Sequence, residues 1–123
     1  MSNLKQVIVM RADLRNTDGH KIRTGKLIAQ GAHASMGAIL GRLDDPRVVE
    51  WLANSFTKVC VKIDNELGLI DIWDRAVKAG LLTKLITDNG LTEFGGVPTV
   101  TCCAIGPDTP ENLAPITGHL RLM

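Results

Sequence analysis

Apolar stretches of strand length alternate with stretches of helical period along the 123-residue chain, and that order leaves few architectures open. Residues 5–12, Lys-Gln-Val-Ile-Val-Met-Arg-Ala, predict a first strand whose central apolar run suits burial on both faces. A helix is predicted over 24–42, with Thr24 as N-cap and a stop near Asp44-Asp45-Pro46. Pro46 suits the first position of a second helix carrying Val48, Val49, Trp51 and Leu52. Residues 57–64 alternate as a strand, with Val59, Val61 and Ile63 on one face. A third helix over 66–80 has an apolar stripe of Leu69, Ile72, Trp73, Ala76 and Val77, with Gly80 as its cap. Residues 82–87 and 97–105 predict two more strands joined by the loop 88–96, and Leu120 and Leu122 suit a short terminal strand. Residues 107–117, with Pro107, Pro110 and Pro115, read as a loop containing about one helical turn.

The expected fold is therefore α/β: one three-layer α/β/α domain over residues 1–123, with a mixed, mostly parallel sheet of about four strands. The link between the last two strands has no helix, so at least one strand is expected to run antiparallel. With 45% apolar and 22% charged residues, the chain has the composition of an ordinary globular protein. No apolar run approaches the roughly 20 residues that cross a bilayer, and Met-Ser-Asn-Leu-Lys-Gln has no signal-peptide core, so no membrane partner is expected. Three cysteines, with Cys102 and Cys103 adjacent in an apolar run, argue against a disulfide framework and for a reducing, cytoplasmic setting. Cys60, Cys102 and Cys103 are expected to be buried and structural, with the vicinal pair pointing to opposite faces of its strand.

The net charge of +1 conceals an asymmetry. Residues 1–42 hold seven Lys and Arg against two acids, and residues 43–123 hold seven against eleven. The basic excess points to an anionic partner such as nucleic acid, met by one face; a solvated basic loop is the plainer alternative.

The same region carries Thr24-Gly25-Lys26-Leu27-Ile28-Ala29-Gln30-Gly31-Ala32-His33. On a helix Lys26, Gln30 and His33 stand at i, i+4 and i+7, forming a polar stripe on an otherwise small and apolar surface. Lys26 falls in the first turn, where the helix dipole disfavours a cation, so the position suits an anionic ligand or partner. Gly19 to Lys26 is not a phosphate-binding P-loop: five residues instead of four separate the glycines, and Leu27 stands where a Ser or Thr would hold magnesium. His20, His33 and His119 are scattered and no Cys or His pair has ligand spacing, so neither a metal nor a cofactor is expected.

The loop Asp88-Asn89-Gly90-Leu91-Thr92-Glu93-Phe94-Gly95-Gly96-Val97-Pro98-Thr99 begins with a carboxylate at a strand end, where α/β sheets gather ligand groups. Read alone it is more simply a glycine-rich turn with Asp88 in an Asx-type role. Read with the striped helix, it completes a set of carboxylate, imidazole, ammonium and hydroxyl that suffices for a metal-free hydrolase.

These segments resemble the archaeal and eukaryotic (type II) peptidyl-tRNA hydrolases over nearly the whole chain. The likeness lies in Gln-Val-Ile-Val-Met-Arg-Ala-Asp-Leu, Gly25-Lys26, Ala29-Gln30-Gly31-Ala32-His33-Ala34, Asp88-x-Gly90-x-Thr92-Glu93, the Thr99 strand into Ile105-Gly106-Pro107, and Ile116-Thr117-Gly118-His119-Leu120-Arg121-Leu122. The resemblance implies a mixed four-stranded sheet between helices, hydrolysis of the ester joining peptide to tRNA, and a homodimer. It implies catalytic roles for Lys26, His33, Asp88 and Thr92. Asp88 or His33 would activate water, Lys26 would stabilise the oxyanion or ribose alkoxide, and Thr92 would orient the water or Asp88. Gln30 would support Lys26, and Arg11, Arg15, Lys21, Arg23, Gln30 and Thr99 would contact tRNA. The family usually places only a few residues between Asp-Leu and Gly-Lys, whereas Arg15 to Thr24 intervene here, and Leu91 replaces a residue that is often polar. The longer loop bears on tRNA binding and specificity more than on chemistry. The alternatives are a non-catalytic RNA- or protein-binding module of this fold, and an esterase on another acyl- or aminoacyl-tRNA.

Overall fold

A computed structural model describes residues 3–123. In chain order the elements are β1 (Lys5–Arg11), α1 (Thr24–Gly37), α2 (Pro46–Ala53), β2 (Thr57–Ile63), α3 (Glu66–Lys78), β3 (Thr83–Asp88), β4 (Thr99–Asp108) and α4 (Pro110–Thr117). The four strands form one sheet in the order β2-β1-β4-β3. Only β1 and β2 pair in parallel; β4 runs antiparallel to both of its neighbours, β1 and β3. Three strands thus point the same way, yet most of the ladders are antiparallel, which corrects the expectation of a mostly parallel sheet. The physical reason is placement: the reversed strand lies between β1 and β3, so one reversal sets the sense of two ladders.

Side-chain alternation in β1 and β4 separates two cores. Val7, Val9, Cys103 and Ile105 face α3 and α4 and pack with Leu69, Ile72, Leu113 and Ile116. Met10, Cys102 and Ala104 face the other way, against Ala34 and Ala38 at the small-residue side of α1. The vicinal cysteines therefore do point to opposite faces. Helices cover both faces, which gives the expected three layers. Cys60 departs from expectation because it is exposed: it lies on the α1 side of the sheet but on edge strand β2, across an open groove from α1, which packs mainly against β4, β3 and β1.

Helix α1 ends at Gly37, five residues short of the expected 42, and the chain runs on through turns to Pro46. The other helix ends follow their sequence signals with two exceptions. Asp45 caps α2 by accepting from the Arg47 N–H at 2.9 Å, and Asn65 caps α3 by accepting from Gly68 at 2.6 Å. Gly80, at φ +75°, closes α3, with Leu81 N–H bonded to Ala76 O at 3.1 Å. Thr24, however, is the first residue inside α1; Arg23 occupies the cap position and no side chain caps it. The second exception is α4, an eight-residue helix where a loop with about one helical turn was expected. Pro110 occupies its first turn, Thr109 accepts from Asn112 N–H at 3.2 Å, and burial of Leu113 and Ile116 offsets the backbone bond that Pro115 removes. Near the C-terminus, one bridge between Leu122 and Val61 on the edge of β2 stands where a short strand was expected.

Two buried polar links fix α1 on the sheet. Gln6 is fully buried; its Nε2 donates to Ser35 O and Gly106 O at 3.1 and 3.2 Å, and Ser35 Oγ donates to its Oε1 at 2.5 Å. Cys102 Sγ donates to Gln30 O at 3.3 Å. Burial holds that thiol's pKa at about 11, so it is a neutral hydrogen-bond donor at pH 7. No helix among the described residues is long and apolar enough to cross a membrane.

Candidate active site

Asp88 is the last residue of β3, paired in register with Thr99 just after an irregularity in the ladder. Its two oxygens have separate tasks. Oδ2 accepts from the Gly90 N–H at 2.9 Å, the Asx turn that the loop sequence allowed. Oδ1 accepts from Lys26 Nζ at 2.9 Å and from Gln30 Nε2 at 3.3 Å. Lys26 Nζ also donates to Thr92 Oγ1 at 2.9 Å. The structure thereby brings together Lys26, Gln30, Asp88 and Thr92 from one helix and one loop, although 62 positions separate Lys26 from Asp88.

Lys26 is the third residue of α1, close to the positive end of the helix dipole. The Asp88 charge offsets that unfavourable placement. Only 13% of the Lys26 side chain and 11% of the Asp88 side chain are exposed, so the pair is shielded far better than an ordinary surface ion pair. Burial acts most strongly on Asp88 and raises its pKa. The Lys26 and Gly90 hydrogen bonds, the Lys26 charge and the Gln30 amide together outweigh burial and hold the carboxyl below its usual range.

Gln30 donates to Asp88, where the sequence suggests support of Lys26. Its amide is oriented by Thr101, whose Oγ1 donates to Gln30 Oε1 at 2.6 Å. Thr101 is fully buried and was missed from sequence. The available signal was a hydroxyl inside the apolar run of β4, which requires a partner once buried.

The other expected site residues have different surroundings. His33 lies two turns beyond Lys26 on α1, about 10 Å along the axis. It is exposed, and no side-chain hydrogen bond among the described residues joins it to the cluster. Arg11 is clamped by Asp13, with bonds of 2.9 and 2.8 Å, and by the Val100 carbonyl at 2.9 Å. The Arg11 hydrogen bonds hold the Asp13 carboxyl below its usual range. Arg23 pairs with Glu93. Arg15 and Lys21 face each other across a bridge of the 13–23 segment, both exposed and without an ion pair among the described residues. Thr99 Oγ1 donates to Val97 O at 2.9 Å. No group of three or more His, Cys, Asp or Glu among the described residues is placed to hold a metal ion.

The arrangement offers a charged acid–base pair at a sheet edge, two hydroxyl or amide groups that orient it, and basic side chains nearby. Comparison with known proteins points the same way. The family model described as peptidyl-tRNA hydrolase PTH2 matches residues 4–123. A protein of Methanocaldococcus jannaschii named peptidyl-tRNA hydrolase is 41% identical over 122 residues, covering 98% of this chain and 100% of its own. A Methanopyrus kandleri protein of the same name is 42% identical over 120 residues, covering 97% of each chain. A Dictyostelium discoideum protein named probable peptidyl-tRNA hydrolase 2 is 33% identical over 99% of this chain and 56% of its own length. A match over almost every described residue, with full-length relatives above 40% identity, places the chain in the PTH2 family of peptidyl-tRNA hydrolases.

Proposed function

We propose that this protein hydrolyses the ester between a peptide and the 3′ ribose of tRNA in the cytoplasm, releasing the tRNA for further translation, with no bound metal or cofactor. The observation that carries the reading is the Lys26 ammonium held by both Asp88 and Thr92 at the sheet edge. An ammonium has three N–H donors; two are engaged, and the third is available to the carbonyl oxygen of the ester. A cation fixed there stabilises the oxyanion as it develops, an effect worth about 3 kcal/mol per donor. Asp88 Oδ1 is occupied twice, but among the described residues Oδ2 accepts only the Gly90 N–H and keeps a lone pair. That atom takes a proton as water adds to the carbonyl carbon, and the proton passes to the ribose oxygen as the C–O bond breaks. Because its pKa is held low, Asp88 is a modest base, and polarisation by Lys26 carries more of the acceleration. Thr92, already accepting from Lys26, can direct its own O–H toward the water.

The proposed roles make Asp88, not His33, the base. His33→Ala is expected to keep kcat within about threefold of wild type, since loss of a general base costs about a hundredfold or more. The test of function is release of the acyl group from N-blocked and from ordinary aminoacyl-tRNA. Hydrolysis of the blocked substrate alone is expected; release from both indicates a broader deacylase, and release from neither a binding module.

For tRNA binding, the exposed cations Arg15 and Lys21 are the proposed phosphate contacts beside the site, with Arg11, Arg23, Gln30 and Thr99 shaping its floor and rim. Arg15→Gln/Lys21→Gln should weaken binding of any tRNA and flatten its salt dependence by about two phosphate contacts, leaving kcat nearly constant. An unchanged slope would make the segment a solvated loop.

The proposed assembly is a homodimer. A groove of about 560 Å³ lies between α1 and strands β1 and β2, lined by Ile8, Met10, Leu27, Ile28, Met36 and Cys60. Ile28 and Met36 are 67% and 58% exposed, an arrangement typical of a contact surface. Light scattering is expected to give twice the chain mass.

A further inference from the structure

The 13–23 segment is ordered by its own bonds. The Arg15–Lys21 bridge pairs its limbs, Asn16 N–H donates to His20 O at 2.8 Å, and Asn16 Oδ1 accepts from the Asp18 and His20 N–H groups at 3.0 Å each. The hairpin so formed buries Leu14 and Ile22 together with Phe94 of the loop after β3, and Leu27 of α1 packs against the three. Three consecutive loop residues are thereby anchored on this segment and the start of α1. Thr92 is bonded to Lys26, Glu93 is paired with Arg23, and Phe94 is packed by Leu14, Ile22 and Leu27. Gly95 follows close by: a Cβ there would lie 3.0 Å from the Thr17 methyl group. The limb holding Ile22 and Arg23 continues directly into α1, which carries Lys26.

We propose that this hairpin is a positioning device for the reaction: it locks the loop through Phe94 and Glu93, and so sets Thr92 and the Lys26 ammonium in register. The inference rests on the catalytic roles proposed above for Lys26, Asp88 and Thr92. Leu14, Ile22, Phe94 and Glu93 are positioning residues that act through Thr92. The cluster of Leu14, Ile22 and Phe94 is distinct from the core under α3 and α4 and meets the α1-side core through Leu27, which packs against both. Opening it at Phe94, Leu14 or Ile22 frees the loop while Leu27 keeps its contact with that core.

Three variants test the proposal: Phe94→Ala, Leu14→Ala/Ile22→Ala, and the conservative Phe94→Leu. Two readouts are needed. The first is steady-state hydrolysis of N-blocked aminoacyl-tRNA. Phe94→Ala and the double variant should each lower kcat about tenfold with KM within about twofold, since a small misplacement of catalytic groups acts on the chemical step. Phe94→Leu should restore kcat to within about twofold of wild type by refilling the cluster. The second is amide exchange in the free protein, at the Gly96 N–H bonded to Gly90 O and the Val97 N–H bonded to Phe94 O. Both should exchange about tenfold faster in the two alanine variants and at the wild-type rate in Phe94→Leu. Unchanged exchange overturns the clamp whatever the activity. A loss expressed in KM with kcat intact overturns it as well, by making the hairpin a tRNA-binding element only. A wild-type protein inactive on every tRNA ester would refute the catalytic reading instead, while the exchange measurement still decides whether the hairpin holds the loop.

Discussion

Lys26→Ala and Asp88→Asn are each expected to lower kcat by about a hundredfold or more, and the double variant should be scarcely worse than either alone. The reasoning is geometric. Lys26 Nζ is 2.9 Å from Asp88 Oδ1 and 2.9 Å from Thr92 Oγ1, so removing the ammonium leaves Asp88 without its principal charged partner. Asn at position 88 keeps the side-chain shape but takes away both the negative charge that faces Lys26 and the lone pair proposed to receive the proton. Each loss disables the same unit, so the second costs little. Stability should fall by about 2 kcal/mol in Asp88→Asn, because the ammonium is left unpaired beside the positive helix end. Circular dichroism and thermal melting check that the fold survives at the assay temperature. The pH dependence follows from the sign of the shift. The folded-state pKa of Asp88 lies below its usual value, so the carboxylate's contribution is present above about pH 4 and is lost as pH falls through the folded value. Between pH 5 and 8 Asp88 should cause no change in stability.

Gly90→Ala should be almost as damaging to activity, although position 90 performs no chemistry. Gly90 has φ +82°, and a Cβ there would collide with Val97 O and lie 2.6 Å from Val97 C and N. Those are backbone atoms that cannot swing aside as a flexible side chain would. The Val97 N–H is bonded to Phe94 O at 3.1 Å, and the Gly90 N–H holds Asp88 Oδ2 at 2.9 Å. The added methyl group must therefore displace the turn that aims Asp88 and Thr92, and kcat should fall about a hundredfold. Gly96→Ala is the matched control. Its φ is +79°, yet nothing lies within 4 Å of the added Cβ, so it bears the left-handed backbone cost of about 1 kcal/mol without the collision. Gly96→Ala should retain most of the activity; equal losses in the two variants would mean that the collision is not what matters.

How much of this was readable beforehand depended on the range of the interaction. Elements governed by local pattern, such as the alternation of β2 and the stripe and glycine cap of α3, appear where the periodicity places them. Helix α4 was illegible because three prolines dominate the local signal, whereas burial of Leu113 and Ile116 is a tertiary effect. The balance of parallel and antiparallel ladders depends on β4 inserting between β1 and β3, which no local pattern encodes. In the site, Lys26 was conspicuous because its charge opposes the helix dipole, and Asp88 because it ends an apolar strand. The Thr101–Gln30 bond, the clamping of Arg11 by Asp13 and Val100, and the burial of Phe94 by the hairpin join distant positions and required coordinates. Of the polar stripe of α1, Lys26 and Gln30 reach Asp88, and His33 lies farther along the helix.

The central claim is that water, activated beside Asp88, attacks an ester carbonyl polarised by Lys26. Its most direct test is a single-turnover reaction of the wild-type protein with N-blocked aminoacyl-tRNA in ¹⁸O-water, with EDTA present and product masses read for both halves. One ¹⁸O is expected in the carboxylate of the released acyl product and none in the 3′ end of the tRNA. Label in the tRNA, an acyl product without label, or a requirement for added metal would contradict the account.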